Sequence, residues 1–244
     1  TMPLALESLW LQRLHQTIGH LADGVDAIEI AAALGRSVSI EEWEQACSQV
    51  GIQYDRNILN HLEDADLIRI HQSQGRFDFD HALLVDSVLR RAKAQGRLME
   101  RHRACADVLK THQPVDYRRL AHHRTEAGDY GLAHAAYMSA AKRSMWLAEN
   151  DDMMTSVINA ARMLRITKSS REDPRWARVR LGWAKALLEK GNMDSAARHA
   201  RKALVALERE AHNAPRLDAL EILMQCAFRT HRTLERTREP MLEY

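Results

Sequence analysis

The chain has 244 residues, with 35 Lys+Arg against 33 Asp+Glu, 45% apolar and 28% charged side chains, which fits one or two folded domains and excludes collagen-like or linker material. Aromatic residues reach only 5%, too few for a carbohydrate cleft or a base-stacking platform, and the dominance of Ala, Leu, Arg and Glu predicts a mainly helical protein. No apolar run approaches the roughly 18 residues needed to span a bilayer, no signal-peptide pattern opens the chain, and the three scattered cysteines (Cys47, Cys105, Cys226) predict reduced thiols and a cytoplasmic location.

Leu6, Leu9, Trp10, Leu14, Ile18 and Leu21 form one apolar stripe, predicting a helix over about 4–22 that ends at Ala22-Asp23-Gly24. Ile28, Ala31, Ala32 and Leu34 form a second short stripe, closed by Gly35. Ser39 stands three residues before Glu42, a capping-box spacing, and opens a helix through about Val50. Asp55 is the next candidate cap, and Ile58, Leu59, Leu62, Ala65 and Leu67 give the fourth helix its face. The period then changes. Leu67-Ile68-Arg69-Ile70-His71 and Arg76-Phe77-Asp78-Phe79-Asp80, around a turn with Gly75, predict a β-hairpin, the one strand pair in the chain. Leu83, Leu84, Val88 and Leu89 resume helix at about His81, and a further helix covers about 97–111, before Pro114. Three helices and a two-stranded hairpin outline a winged helix-turn-helix module over residues 1–112.

Only helices are predicted beyond residue 115. Leu120-Ala121, Gly128-Asp129-Tyr130, Ala133, Tyr137 and Ala140 recur as Trp183-Ala184, Gly191-Asn192-Met193, Ala196, Ala200 and Ala203, offset by 63 positions. Small residues at these positions let two antiparallel helices approach closely. A helix at about 151–166, with Met154, Ile158 and Ala161 on one face, lies between the copies, Pro174 opens the next, and a last helix covers about 215–230. Trp146, Trp176 and Trp183 are expected to pack between helices. The second domain, 113–244, is therefore an antiparallel helical-hairpin array of the tetratricopeptide (TPR) kind. Thr1 ahead of Met2, and an array cut in mid-repeat at its C-terminal end, point to a piece of something longer.

Leu6-Glu7-Ser8-Leu9 with Arg13-Leu14, Ala31-Ala32-Ala33-Leu34-Gly35-Arg36, Leu59 through Ile68 and Phe77-Asp78-Phe79-Asp80-His81-Ala82-Leu83-Leu84 give residues 3–111 a resemblance to a known family. They resemble the winged-helix segment that follows the nucleotide-binding domain in signal-transduction ATPases of the STAND class. Large bacterial regulators of this class continue into TPR-like arrays, which Leu120–Ala141 resembles. The resemblance implies a non-catalytic regulatory and protein-interaction fragment. The winged helix would couple ATP or ADP state in a nucleotide-binding domain of the parent chain to an array that binds a protein, peptide or inducer. It also implies a role for His81, since in the wider class a Met-His-Asp motif at the end of the hairpin sets its His near the β-phosphate of ADP. Here the triplet is Asp80-His81-Ala82, so only the His matches; as a helix-start residue it would otherwise hydrogen-bond locally. No GxxxxGK[ST] loop occurs in the 244 residues, so this fragment is expected to carry no cofactor and no enzyme activity.

The alternative is a transcriptional regulator whose winged helix binds DNA. Charge opposes it: residues 1–80 hold 13 acidic against 5 basic side chains, and the recognition helix at 55–66 carries Asp55, Glu63, Asp64 and Asp66 beside Arg56. His122 and His123 point about 100° apart on a helix, and His102 with Cys105 offers too few ligands, so no metal site is expected. Cys105 has no orienting partner for nucleophilic work, which also sets aside a stand-alone helical enzyme. The Arg-rich faces around Arg118-Arg119 and Arg175-Arg178-Arg180 are expected to be solvated helix surface or, alternatively, to bind an acidic peptide or nucleic acid; Arg118, Arg119 and His122 are the candidate partner-binding residues.

Overall fold

The computed structural model describes residues 4–55, 57–207 and 214–238; Arg56 and the side chain of Leu6 lie outside the described residues. The described residues form twelve helices and one three-stranded antiparallel sheet, a mainly helical protein. They fall into two compact units, 1–129 and 130–244, so the division comes after Asp129 rather than after residue 112.

The first unit is built around α2 (Gly24–Leu34), which follows α1 (Leu4–Ile18). Its sequence, Gly-Val-Asp-Ala-Ile-Glu-Ile-Ala-Ala-Ala-Leu, is apolar nearly all round, so it sits inside: ten of its eleven residues are buried. Leu14 and Ile18 of α1 join the same core. A short strand, β1 (Ser37–Ser39), leads into α3 (Ile40–Gln49), whose Trp43 is fully buried and donates its indole N–H to the Ala27 carbonyl at 2.7 Å. Ser39 ends the strand and caps the helix at once, its hydroxyl accepting from the Glu42 N–H at 3.4 Å.

The hairpin comprises β2 (Ile68–His71) and β3 (Arg76–Phe79), after α4 (Asn57–Asp64). Gly75 takes the left-handed conformation the turn requires, at φ 59°. Strict alternation sends Phe77 and Phe79 into the core and Arg76 and Asp78 outward. Each buried Phe contributes about 1.5–3 kcal/mol. The hairpin is not alone: β1 pairs antiparallel with β3, Val38 opposite Phe77, giving the order β1-β3-β2. Ser37 donates to Asp78 at 2.5 Å on the outer face.

Three more helices complete the unit: α5 (Ala82–Ala94), α6 (Leu98–Thr111) and α7 (Tyr117–Glu126). Glu29 of α2 is fully buried, and Arg91 of α5, Arg97 and Arg101 of α6 all donate to its carboxylate, Arg97 at 2.7 and 3.0 Å and Arg101 at 3.4 Å. Asp26 accepts from Arg97 at 3.0 Å. A carboxylate removed from water needs such partners. Helix α7 stays with this unit because Arg124 reaches Asp107 of α6 at 2.5 Å and Arg103 of α6 reaches the Ala127 carbonyl at 3.1 Å.

The second unit is all helical: α8 (Tyr130–Trp146), α9 (Asn150–Ile166), α10 (Pro174–Glu189), α11 (Met193–Leu207) and α12 (Ala214–Arg238), each packed on the next. Alanines fill the seams, among them Ala133, Ala160, Ala184, Ala196, Ala200 and Ala203, all fully buried. Asp173 caps α10 by accepting from the Arg175 N–H at 2.9 Å, ahead of Pro174. Gly191 turns the chain at φ 77°, while the turns after α8 and α9 use Ala148 (φ 58°) and Lys168 (φ 50°). The buried face of α9 is one residue away from the expected one: Met153, Val157, Ala160, Ala161 and Leu164 face inward, and Ile158 is half exposed. Trp176 and Trp183 pack against the core, but Trp146 is 77% exposed.

Candidate functional site

His81 joins β3 to α5 in extended backbone (φ −122°, ψ 112°), at the N-cap position but without a side-chain capping bond. Its ring lies on Trp10 of α1, centroids 4.6 Å apart and tilted by 37°, and the Arg13 guanidinium stands over the indole at 5.8 Å. The ring is held by this aromatic contact, while the His81 carbonyl accepts from the Leu84 N–H at 3.1 Å.

Of the three candidate contact residues on α7, Arg119 is already committed. Its guanidinium pairs in bidentate fashion with Glu42 of α3, at 2.7 and 3.0 Å, and those hydrogen bonds raise its affinity for its proton. Arg118 is exposed on the first turn, its backbone N–H donating to Asp116 at 3.1 Å. His122 is exposed as well and sets its ring edge-on to His102, centroids 5.8 Å apart.

Below that surface lies a pair the sequence did not show. His102 of α6 and His123 of α7 are both buried, with Nδ1 atoms 3.0 Å apart. One ring must donate from Nδ1 while the other accepts, so the pair shares one proton across the seam. Burial pushes the His102 ring down to about 4; burial first, then the neighbouring His102, His122 and Arg119, pushes His123 down to about 3. Both are neutral at pH 7. Cys47 and Cys105 are buried free thiols, pushed up to about 12 by burial and so inert as nucleophiles at neutral pH. Among the described residues no group of three or more His, Cys, Asp or Glu side chains could hold a metal ion.

The second unit carries a groove of about 330 Å³. Helix α8 lends Met138, Ala141, Lys142 and Met145, and α10 lends Arg178, Leu181, Gly182 and Lys185. Both sets follow the same i, i+3, i+4, i+7 spacing, one face of each helix. Helix α9 adds Met153, and the start of α12 adds Pro215 and Asp218. Alternate helices thus supply most of the lining. Gly182 lets α10 approach α9, since a Cβ there would fall 2.8 Å from Val157 Cγ2. The floor is apolar, with Met153 and Leu181 buried. The rim holds three cations against one carboxylate, and only Lys185 is paired with it, to Asp218 at 3.0 Å. Arg178 belongs to the Arg-rich face expected from the sequence, whereas its neighbours are committed elsewhere, Arg175 to Asp173 at 2.6 Å and Arg180 to the Lys202 carbonyl at 3.3 Å. Met138, Lys142 and Met145 carry a signal in the sequence, their i, i+4, i+7 recurrence, whereas Met153 of α9 carries none.

Among the described residues no helix is long and apolar enough to cross a membrane. No protein-family model matches the chain, and neither a curated protein nor a solved structure is significantly similar to it.

Proposed function

We propose that this chain is a non-catalytic regulatory and interaction piece of a larger STAND-type ATPase switch. In this reading the first unit is a winged-helix module that couples nucleotide state in the parent chain to the second unit, a TPR-like array that binds a protein partner or inducer. The observation that carries it is the groove of the second unit, with an apolar floor and an exposed Arg178 and Lys142 on the rim. Such a surface is suited to holding a ligand. In the first unit, the helices that lead into the hairpin and the His81 junction support the coupling role.

His81 would be a single contact to ADP phosphate, and the rest of that site would belong to the parent's nucleotide domain. Its position at the start of the 13-residue α5, the positive end of the helix dipole, suits an anion. DNA binding is disfavoured by the acidic first 80 residues, and Glu63 of α4 is already engaged, accepting from the Ile70 N–H at 2.8 Å. Calorimetry tests the reading: ATP titrated into this chain gives no binding heat and no phosphate release. Micromolar binding would overturn it.

A further inference from the structure

The groove of the second unit has a floor and a rim of different chemistry, and together they specify an occupant. Met138, Met145 and Met153 present flexible, polarisable side chains that adapt to an apolar group of varied shape. Around them stand Lys142, Arg178 and Lys185, with Asp218 the one carboxylate, so the rim carries an excess of two positive charges. Asp218 occupies Lys185; Lys142 and Arg178 are exposed and face the groove from α8 and α10.

We propose that this groove binds an acidic segment of a partner protein, with one apolar anchor side chain on the methionine floor and flanking Asp or Glu carboxylates against Lys142 and Arg178. The proposal rests on the reading of the second unit as a partner-binding array and adds the chemistry of the partner. Charge complementarity selects an anionic ligand, and the floor selects among anions. A nucleic acid strand would need aromatic faces on which to stack bases, and the lining contains none. An inorganic anion would leave the floor uncovered. An acidic, apolar-anchored peptide satisfies both layers. A volume of about 330 Å³ lies at the lower end of ligand cavities, about 300–1,000 Å³, and suits an anchor with its immediate neighbours.

The test uses the full chain and a fluorescein-labelled peptide with two leucines at its centre and four glutamates on each side. Fluorescence anisotropy should show saturable binding that weakens as salt rises from 50 to 300 mM, because exposed charges are screened. Replacing the leucines by serine should weaken binding at least tenfold. The Lys142→Glu/Arg178→Glu variant should also lose at least tenfold; both positions are exposed, so the fold is retained, which circular dichroism checks. Met138→Lys, at the floor, should lose binding while the rim charges remain. Equal binding by the serine peptide, equal binding by the rim variant, or displacement of the peptide by a poly(dT) oligonucleotide would each overturn the proposal. ATP titration of the same samples reports separately on the non-catalytic reading, so failure of one is distinguishable from failure of the other.

Discussion

Acidification should open the seam between α6 and α7 through His102 and His123. Both rings are neutral and buried, with folded values of about 4 and about 3, against about 6.5 for an unfolded histidine. The unfolded chain therefore binds protons more readily than the folded one. Stability from this pair is fully present above pH 6.5 and falls as pH drops through 6.5 toward the folded values. At pH 5 each unfolded histidine has gained about 1.5 pH units of proton binding that its folded counterpart has not, worth about 2 kcal/mol per ring and about 4 kcal/mol for the pair. The Arg119 guanidinium acts in the same direction, repelling a proton on His123. Hydrogen exchange read by mass spectrometry separates the two units, so protection of amides in 98–126 can be followed alone. After correction for intrinsic exchange, protection there should fall roughly a thousandfold between pH 7.5 and pH 5. In the His102→Asn/His123→Asn variant, which keeps side-chain hydrogen bonding without an ionisable ring, the fall should be far smaller. Parallel loss in wild type and variant would refute the argument.

Glu29→Gln leaves three arginines around a neutral amide and should cost about 3–5 kcal/mol in chemical denaturation of the first unit. Gly182→Ala drives a methyl against Val157, and Ala196→Leu overfills a fully buried seam; each should cost about 1–3 kcal/mol, seen as a lower melting temperature of the second unit. His81→Ala removes the ring resting on Trp10 and should cost only about 0.5–1.5 kcal/mol by urea titration. On the proposed reading of the chain as part of a STAND-type switch, the same change should also raise the basal activity of that switch. If it instead unfolds this chain, the histidine is a core element alone.

Helices and hairpin were legible because period decides them. Phe77 and Phe79 alternate with Arg76 and Asp78, and the stripes of α1, α4 and α5 recur at helical spacing. Gly128 and Gly191 marked two turns because glycine signals positive φ. The turns at Ala148 and Lys168 have the same backbone without that signal, which hid the even rhythm of the array. Strand β1 escaped because three residues are too few to show a period and Ser39 also reads as a helix cap. On α9, Met153 and Val157 run beside Met154 and Ile158, and apolar neighbours one residue apart leave the facing side undetermined. The histidine pair and the groove depend on residues far apart in sequence, and spacing within one helix says nothing of who stands opposite. Arg118, Arg119 and His122 stand out in the sequence as a local basic run, but the Glu42 that takes Arg119 is 77 residues away.

The carboxylate of Glu29 also bears on the order in which the first unit assembles. Helix α2 is the most apolar segment and would collapse early onto α1 and α3, but doing so strips water from Glu29 before its partners arrive. Those partners lie 62, 68 and 72 residues further along the chain. Complete desiccation of α2 is thereby delayed until α5 and α6 close over it, and a compact intermediate holding only the N-terminal helices is penalised. One buried charge links early and late parts of the chain into a single kinetic event, so the first unit should fold and unfold without a populated half-assembled state.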